Sequence, residues 1–138
     1  MFLLTNIAYG TTETCGGVYS MHIDDLSIGN CGIPFGGVRA KLIDWKEGGY
    51  TTNDPDHARG ELVIGGDMVT NGYFEMPEET NAAFTTDVDG LKWFHTGDIG
   101  EITRTTGSIR IIDRKKDLAK LCNGEYVSLG KVSFFFKF

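Results

Sequence analysis

Short apolar runs, each stopped by a glycine or a polar turn, follow one another too closely for long helices and direct the chain to an antiparallel β fold. The stretch Val38-Arg39-Ala40-Lys41-Leu42-Ile43-Asp44-Trp45 alternates and reads as a strand, ended by the turn Glu47-Gly48-Gly49. After the polar loop Asn53-Asp54-Pro55-Asp56 comes a short apolar strand, Glu61-Leu62-Val63-Ile64, closed by Gly65-Gly66. Trp93-Phe94, Ile99-Gly100-Glu101-Ile102 and Ser108-Ile109-Arg110-Ile111-Ile112 continue the series. The 19 glycines are about twice the usual ~7% share, which suits many tight turns and close backbone approaches. One short helix is expected over residues 77–84, with Pro77 in the first turn and Glu78 and Glu79 near the positive end of its dipole. Mainly β with short α-helices (α+β) is therefore the expected class, arranged as an antiparallel barrel or sandwich.

With 138 residues the chain fits a single core, and a multidomain enzyme is excluded. Hydrophobic residues at 41% and charged residues at 23% exclude intrinsic disorder. A net charge of -6 repels nucleic-acid phosphates and anionic lipid, so neither is an expected partner. The basic residues cluster once, at Arg104, Arg110, Arg114, Lys115, Lys116 and Lys120, and a bound anion is expected there. Cys15, Cys31 and Cys122 have no short spacing, which points to neither a disulfide framework nor a zinc site and suits a reducing compartment. Residues 1–4 are too short for a signal peptide, and no run approaches the ~18 apolar residues of a spanning helix.

Several local patterns fail on their chemistry. Thr85-Thr86-Asp87-Val88-Asp89-Gly90 resembles a calcium loop, but Thr takes the first ligand position and Thr96 the twelfth. Residues 124–131 resemble a phosphate loop with one residue too many, and Val132 replaces the magnesium-binding hydroxyl. His22, His57 and His95 have no partner at metal-ligand spacing. Tyr9-Gly10-Thr11-Thr12-Glu13-Thr14 offers an aromatic face, hydroxyls and a carboxylate, which suits a nucleotide but also a turn with a threonine N-cap. Thr96-Gly97-Asp98 places a carboxylate after a glycine at a strand edge, where ribose hydroxyls would donate to it, and is equally a common polar turn.

Read in order, the segments carry more than any one of them. Tyr9-Gly10-Thr11-Thr12-Glu13, Gly60-Glu61-Leu62-Val63-Ile64-Gly65-Gly66, Gly72-Tyr73-Phe74, Trp93-Phe94-His95-Thr96-Gly97-Asp98-Ile99-Gly100, Ile111-Ile112-Asp113-Arg114-Lys115-Lys116-Asp117-Leu118 and Gly124-Glu125-Tyr126-Val127-Ser128-Leu129-Gly130-Lys131-Val132 resemble the adenylate-forming enzymes. Trp45-Lys46-Glu47-Gly48-Gly49-Tyr50 and the last of these segments favour the long-chain fatty acid–CoA ligases among them. In that family a fatty carboxylate attacks the α-phosphate of Mg-ATP, and the CoA thiol then attacks the acyl-adenylate.

The resemblance implies a nucleotide site. Tyr9 would lie against adenine, Thr12 would contact a phosphate oxygen, and Glu13 would bind Mg²⁺. Asp98 would accept from the ribose hydroxyls and Arg114 would donate to the same sugar. Asp113 or Lys116 would be the hinge, and Lys120 would approach the acyl-adenylate in the second half-reaction. The implied organisation is residues 1–112 as the C-terminal part of the AMP-binding large domain, including a distorted antiparallel β-barrel portion. Residues 113–118 would be the hinge linker and residues 119–138 the start of the small domain. Fatty acid, ATP or AMP, Mg²⁺ and CoA are the implied ligands, on the cytoplasmic side, where longer relatives are often associated with the endoplasmic reticulum or other membranes.

The family's phosphate loop, most of its fatty-acid tunnel and its late lysine have no counterpart here, Ala8 stands for a usual Gly, and Ser133 for an expected Glu. A truncated fragment is expected, with a non-catalytic nucleotide- or partner-binding remnant as the alternative. Tyr9, Glu13, Asp98 and Arg114 should face one cleft, with Asp98 at the end of a strand. Ser133-Phe134-Phe135-Phe136-Lys137-Phe138 is expected to pack as no regular element and to lower solubility.

Overall fold

The computed structural model describes residues 7–120 and 126–128. Strands β1 (Ala8–Thr11), β2 (Gly16–Ser20) and β3 (Ile33–Pro34) form a small antiparallel sheet in that order. A larger antiparallel sheet contains β4 (Arg39–Ile43), β5 (His57–Gly65), β6 (Phe84–Thr86), β7 (Lys92–Thr103) and β8 (Ile109–Arg114). Its order is β4-β5-β7-β6, and β8 pairs with β7 beyond β6. Strands β9 (Leu118–Lys120) and β10 (Tyr126–Ser128) pair with each other, and α1 spans Pro77–Ala83. The expected barrel portion is an open sheet: among the described residues, β4 at one edge pairs with neither β6 nor β8 at the other. The mainly β class stands.

The apolar run at residues 62–64 is fully buried because β5 is an inner strand, paired with β4 on one side and β7 on the other. Leu62 and Ile64 pack with Phe84, Phe94 and Ile109 and with Val18 and Tyr19 of the small sheet, so the core lies between the two sheets. Each such side chain contributes about 1.5–3 kcal/mol by leaving water. The small sheet is also stitched to β8 through the backbone, since the Cys31 N–H donates to the Ile109 carbonyl and the Ile109 N–H to that of Gly32. The helix is one residue shorter than expected: Phe84 leaves it to begin β6, where its ring packs 5.1 Å from that of Phe94.

What positions the candidate site is a break in the β5–β7 ladder. Glu61 pairs with Ile99 and Val63 with His95, so β7 carries two residues more than β5 across the break. The surplus falls at Thr96-Gly97-Asp98. Gly97 has φ 72°, a left-handed conformation that a side chain resists. Side chains replace the lost ladder bonds: the Thr96 hydroxyl donates to the Leu62 carbonyl (2.7 Å) and accepts from the Asp98 N–H (3.0 Å), while the Gly97 N–H donates to Glu61 Oε1 (3.2 Å). This corrects the expected placement. Asp98 sits within β7 at a bulge, not at a strand end, because these side-chain bonds let one strand run through what reads in sequence as a turn.

Of the rejected loop at residues 124–131 only residues 126–128, which form β10, are described, and the Phe-rich segment at residues 133–138 lies outside the described residues.

Candidate functional site

Tyr9 and Asp98 come from different sheets and meet at the bulge. The Tyr9 hydroxyl donates to Asp98 Oδ2 at 2.8 Å, and Arg114 Nε donates to Asp98 Oδ1 at 2.7 Å. Asp98 and Arg114 are cross-strand partners, so the β7–β8 register sets this ion pair. The Asp98 side chain is 5% exposed and that of Arg114 66%. A buried carboxylate is thus answered by a cation whose other donors reach solvent. Burial first, then the Asp98 charge and the hydrogen bond to it, push the Tyr9 phenol well above its ordinary value, against smaller opposing contributions from Thr96 and Arg114. Tyr9 therefore stays a neutral donor at physiological pH.

Thr12 and Glu13 lie on the tight turn that follows β1. Buried Thr14 fixes that turn, its hydroxyl accepting from the Thr11 N–H at 3.0 Å and bonding the Gly16 carbonyl at 2.9 Å. The Thr70 N–H donates to the Glu13 carbonyl (2.9 Å), bringing residues 70–73 alongside, and the Tyr73 hydroxyl donates to Glu13 Oε1 at 2.7 Å. Desolvation opposes the Glu13 charge, but it is outweighed by the Tyr73 hydroxyl, Glu13's own backbone, the Thr11 hydroxyl and the Lys116 ammonium, which hold the carboxyl below its ordinary value. The Tyr73 phenol is pushed up to about 12 by burial and by Glu13.

The sign follows from linkage: ionised Glu13 stabilises the fold fully above its ordinary value of 4.5, and this is lost as pH falls through the lowered folded value. Tyr73→Phe is expected to move the folded value back toward 4.5 and to weaken the acid dependence of stability. A carbon-detected NMR titration of the Glu13 carboxyl checks this, and an unchanged titration would contradict it.

Between these groups is a cleft of about 340 Å³, lined by Thr12, Glu13, Gly97, Asp98, Arg114 and Lys116 among others. Glu13, Asp98 and Arg114 thus face one space, and Tyr9 borders it through its bond to Asp98 while lining an adjoining cavity of about 550 Å³. Asp113 is part of β8, opposite Ile99, and its carboxylate accepts from the Tyr50 hydroxyl at 3.3 Å. Lys116 follows on a tight turn, and its charge reaches Glu13. The backbone of Lys120 pairs with Tyr126, and its side chain lies outside the described residues. Sequence reasoning missed Glu61, which holds the bulge, and Tyr73, which orders Glu13. The one signal for Glu61 was a lone charge opening an apolar run.

The donor set suits a nucleoside phosphate. Asp98 presents a fixed carboxylate with spare lone pairs, as paired hydroxyls require. Glu13 is held ionised beside a hydroxyl, which fits Mg²⁺ held by one carboxylate together with substrate phosphates. No group of three or more metal-ligating side chains occurs among the described residues. No helix among them is long and apolar enough to cross a membrane.

Residues 5–74 match the model of the family described as AMP-binding enzyme. The chain is 48% identical over 124 residues to a long chain acyl-CoA synthetase 8 of Arabidopsis thaliana, a match covering 90% of this chain and 17% of that protein. It resembles the A domain of a carboxylic acid reductase from Segniliparus rugosus in complex with AMP and a co-purified carboxylic acid, at TM-score 0.67 and 32% identity over 92% of this chain and 18% of that one. It also resembles the O-succinylbenzoate coenzyme A synthetase of Bacillus subtilis in complex with ATP and magnesium ion, at TM-score 0.72 and 25% identity over 96% of this chain and 26% of that one.

Proposed function

Because the chain belongs to the AMP-binding enzymes, we propose that it is the nucleotide-facing part of a long-chain fatty acid–CoA ligase, which activates a fatty acid with ATP through an acyl-adenylate and passes the acyl group to CoA. The chain spans 17% of the length of the acyl-CoA synthetases it matches. The assignment is therefore to a share of the work. Residues 1–112 supply part of the large domain, residues 113–118 the hinge linker with Asp113 or Lys116 as its pivot, and residues 119–138 the start of the small domain. Lys120 belongs to the second half-reaction.

The carrying observation is the buried Asp98 carboxylate, fixed between Tyr9 and Arg114 on the wall of a cleft that also holds Thr12 and Glu13. Asp98 accepts from the ribose hydroxyls, and Arg114, whose side chain is largely exposed, keeps donors for the same sugar. Tyr9 offers its ring to adenine from the neighbouring cavity. Thr12 donates to a phosphate oxygen, and Glu13, whose Oε1 accepts from the Tyr73 hydroxyl, would hold Mg²⁺. Bound Mg²⁺ would offset charge on the triphosphate. All this is positioning and electrostatics, the kind of contribution a preorganised site makes.

Calorimetry on the 138-residue chain tests the reading. Mg²⁺ is expected to tighten ATP about tenfold, the worth of one charge-assisted contact, and to leave AMP unaffected. Glu13→Gln should remove the Mg²⁺ effect and keep AMP binding. Equal binding of ATP with and without Mg²⁺ would refute the role of Glu13. The chain alone is expected to form no acyl-CoA from oleate, ATP and CoA. Thioester formation above the protein-free rate, abolished by Glu13→Ala, would show instead that it suffices for catalysis.

A further inference from the structure

Two carboxylates flank the bulge in β7, and only Asp98 faces the nucleotide cleft described above. The other, Glu61, has a side chain 9% exposed. Its two oxygens are engaged on different elements: Oε1 accepts from the Gly97 N–H at 3.2 Å and Oε2 from Lys115 Nζ at 2.7 Å. His95 Nδ1 lies 3.7 Å from Oε2, and the other His95 ring nitrogen bonds the Thr85 hydroxyl at 3.1 Å. The Lys115 ammonium also sits 5.6 Å from the centre of the Trp45 ring.

The arrangement is paired. Consecutive cations, Arg114 and Lys115, reach to different carboxylates at the bulge, Arg114 to Asp98 and Lys115 to Glu61. A buried carboxylate without a cation is strongly disfavoured, so each end of this segment is held by a partner that cannot be released alone. One rigid carboxylate therefore ties the backbone next to Asp98 to the residue next to Arg114. Any drift of Lys115 carries Arg114 with it, and any loss of the Gly97 contact frees the glycine that aims Asp98.

We propose that Glu61 is a positioning residue for the nucleotide: by joining Gly97 to Lys115 it sets Asp98 and Arg114 in register for the ribose of an adenine nucleotide. The proposal rests on the ribose reading of Asp98. It assigns Glu61 no contact with the nucleotide, so Glu61 acts on the sugar hydroxyls alone and leaves the base and phosphate contacts as they are. Lys115 is its counterpart, and a charge-conserving replacement of Lys115 preserves the device.

The test compares dissociation constants of AMP and 2′,3′-dideoxyadenosine monophosphate, by calorimetry on the full chain. Wild type should favour AMP by about tenfold or more, since the dideoxy compound leaves a charged acceptor unmatched. Asp98→Asn should bring the ratio close to one. Glu61→Gln keeps an acceptor for Gly97 and removes the charge; it should lower the ratio at least about threefold, with dideoxy binding changed less than about twofold. Lys115→Met should do the same, and Lys115→Arg should retain the wild-type ratio. Should Glu61→Gln fail to fold, Lys115→Met and Lys115→Arg carry the comparison. A wild-type ratio in both Glu61→Gln and Lys115→Met, with the ratio lost in Asp98→Asn, overturns the role of Glu61 and leaves the ribose reading standing. Equal weakening of both nucleotides marks a purely structural role and also overturns it. A wild-type ratio of one removes the ribose reading and the proposal with it.

Discussion

Replacing Asp98 by alanine is expected to weaken AMP binding more than about a hundredfold while the chain still folds. A hydrogen bond to a charged group contributes about 1.5–3 kcal/mol, so losing the acceptor for two ribose hydroxyls removes about 3–6 kcal/mol, a hundredfold or more. The fold survives because the substitution also removes the buried charge. Arg114, 66% exposed, returns to solvent, and the chief structural loss is an acceptor for the Tyr9 hydroxyl. Arg114→Ala is the informative contrast. It leaves Asp98 buried with Tyr9 as its remaining side-chain partner, so its stability cost should exceed that of Asp98→Ala, though partial exposure of the pair keeps it below the ~3–5 kcal/mol of a fully buried one. Calorimetry and urea unfolding on the two variants check both halves. AMP affinity within threefold of wild type in Asp98→Ala would refute the assignment.

Gly10→Ala is expected to cost about 3 kcal/mol or more, enough to unfold a marginal domain. A Cβ at Gly10 would stand 1.9 Å from the Gly16 carbonyl oxygen and 2.6 Å from the Gly17 Cα. Both belong to the paired strand β2, so no side-chain rotation relieves the overlap. The position coincides with the register shift between Tyr9 and Gly10, and Gly10 itself lines the cleft. Spreading these strands would also draw Tyr9 off Asp98. Gly36→Ala is the control, since nothing lies within 4 Å of its Cβ, and it should be close to neutral. A urea midpoint for Gly10→Ala equal to that of Gly36→Ala would contradict the close approach.

The sequence made the strands legible and hid their continuity. Runs at 93–94 and 99–102 read as two short strands because Thr96-Gly97-Asp98 has the composition of a turn. In the fold they are one strand of twelve residues. The reason is local: Thr96 and Glu61 supply the hydrogen bonds that the ladder loses, so the chain continues where alternation stops. Strand β5 also begins at His57, four residues before the strand expected at residues 61–64, because pairing with residues 100–103 extends it independently of hydrophobicity. Closure of the sheet depends on edge partners that no single strand encodes. Of the site, Tyr9, Glu13, Asp98 and Arg114 were named through the family resemblance, since no spacing rule brings residues 89 positions apart together. Glu61 escaped for the same reason: its cation, Lys115, lies 54 residues away.

The space between Tyr9, Glu13, Asp98 and Arg114 is expected to receive an adenine nucleotide. An amide NMR titration of the chain with AMP tests it most directly. Saturable shifts at Gly10, Glu13, Gly97, Asp98 and Arg114, with β4 and the start of β5 unmoved, are the predicted result. Saturable shifts confined to residues away from the bulge, or none at millimolar AMP, would contradict it.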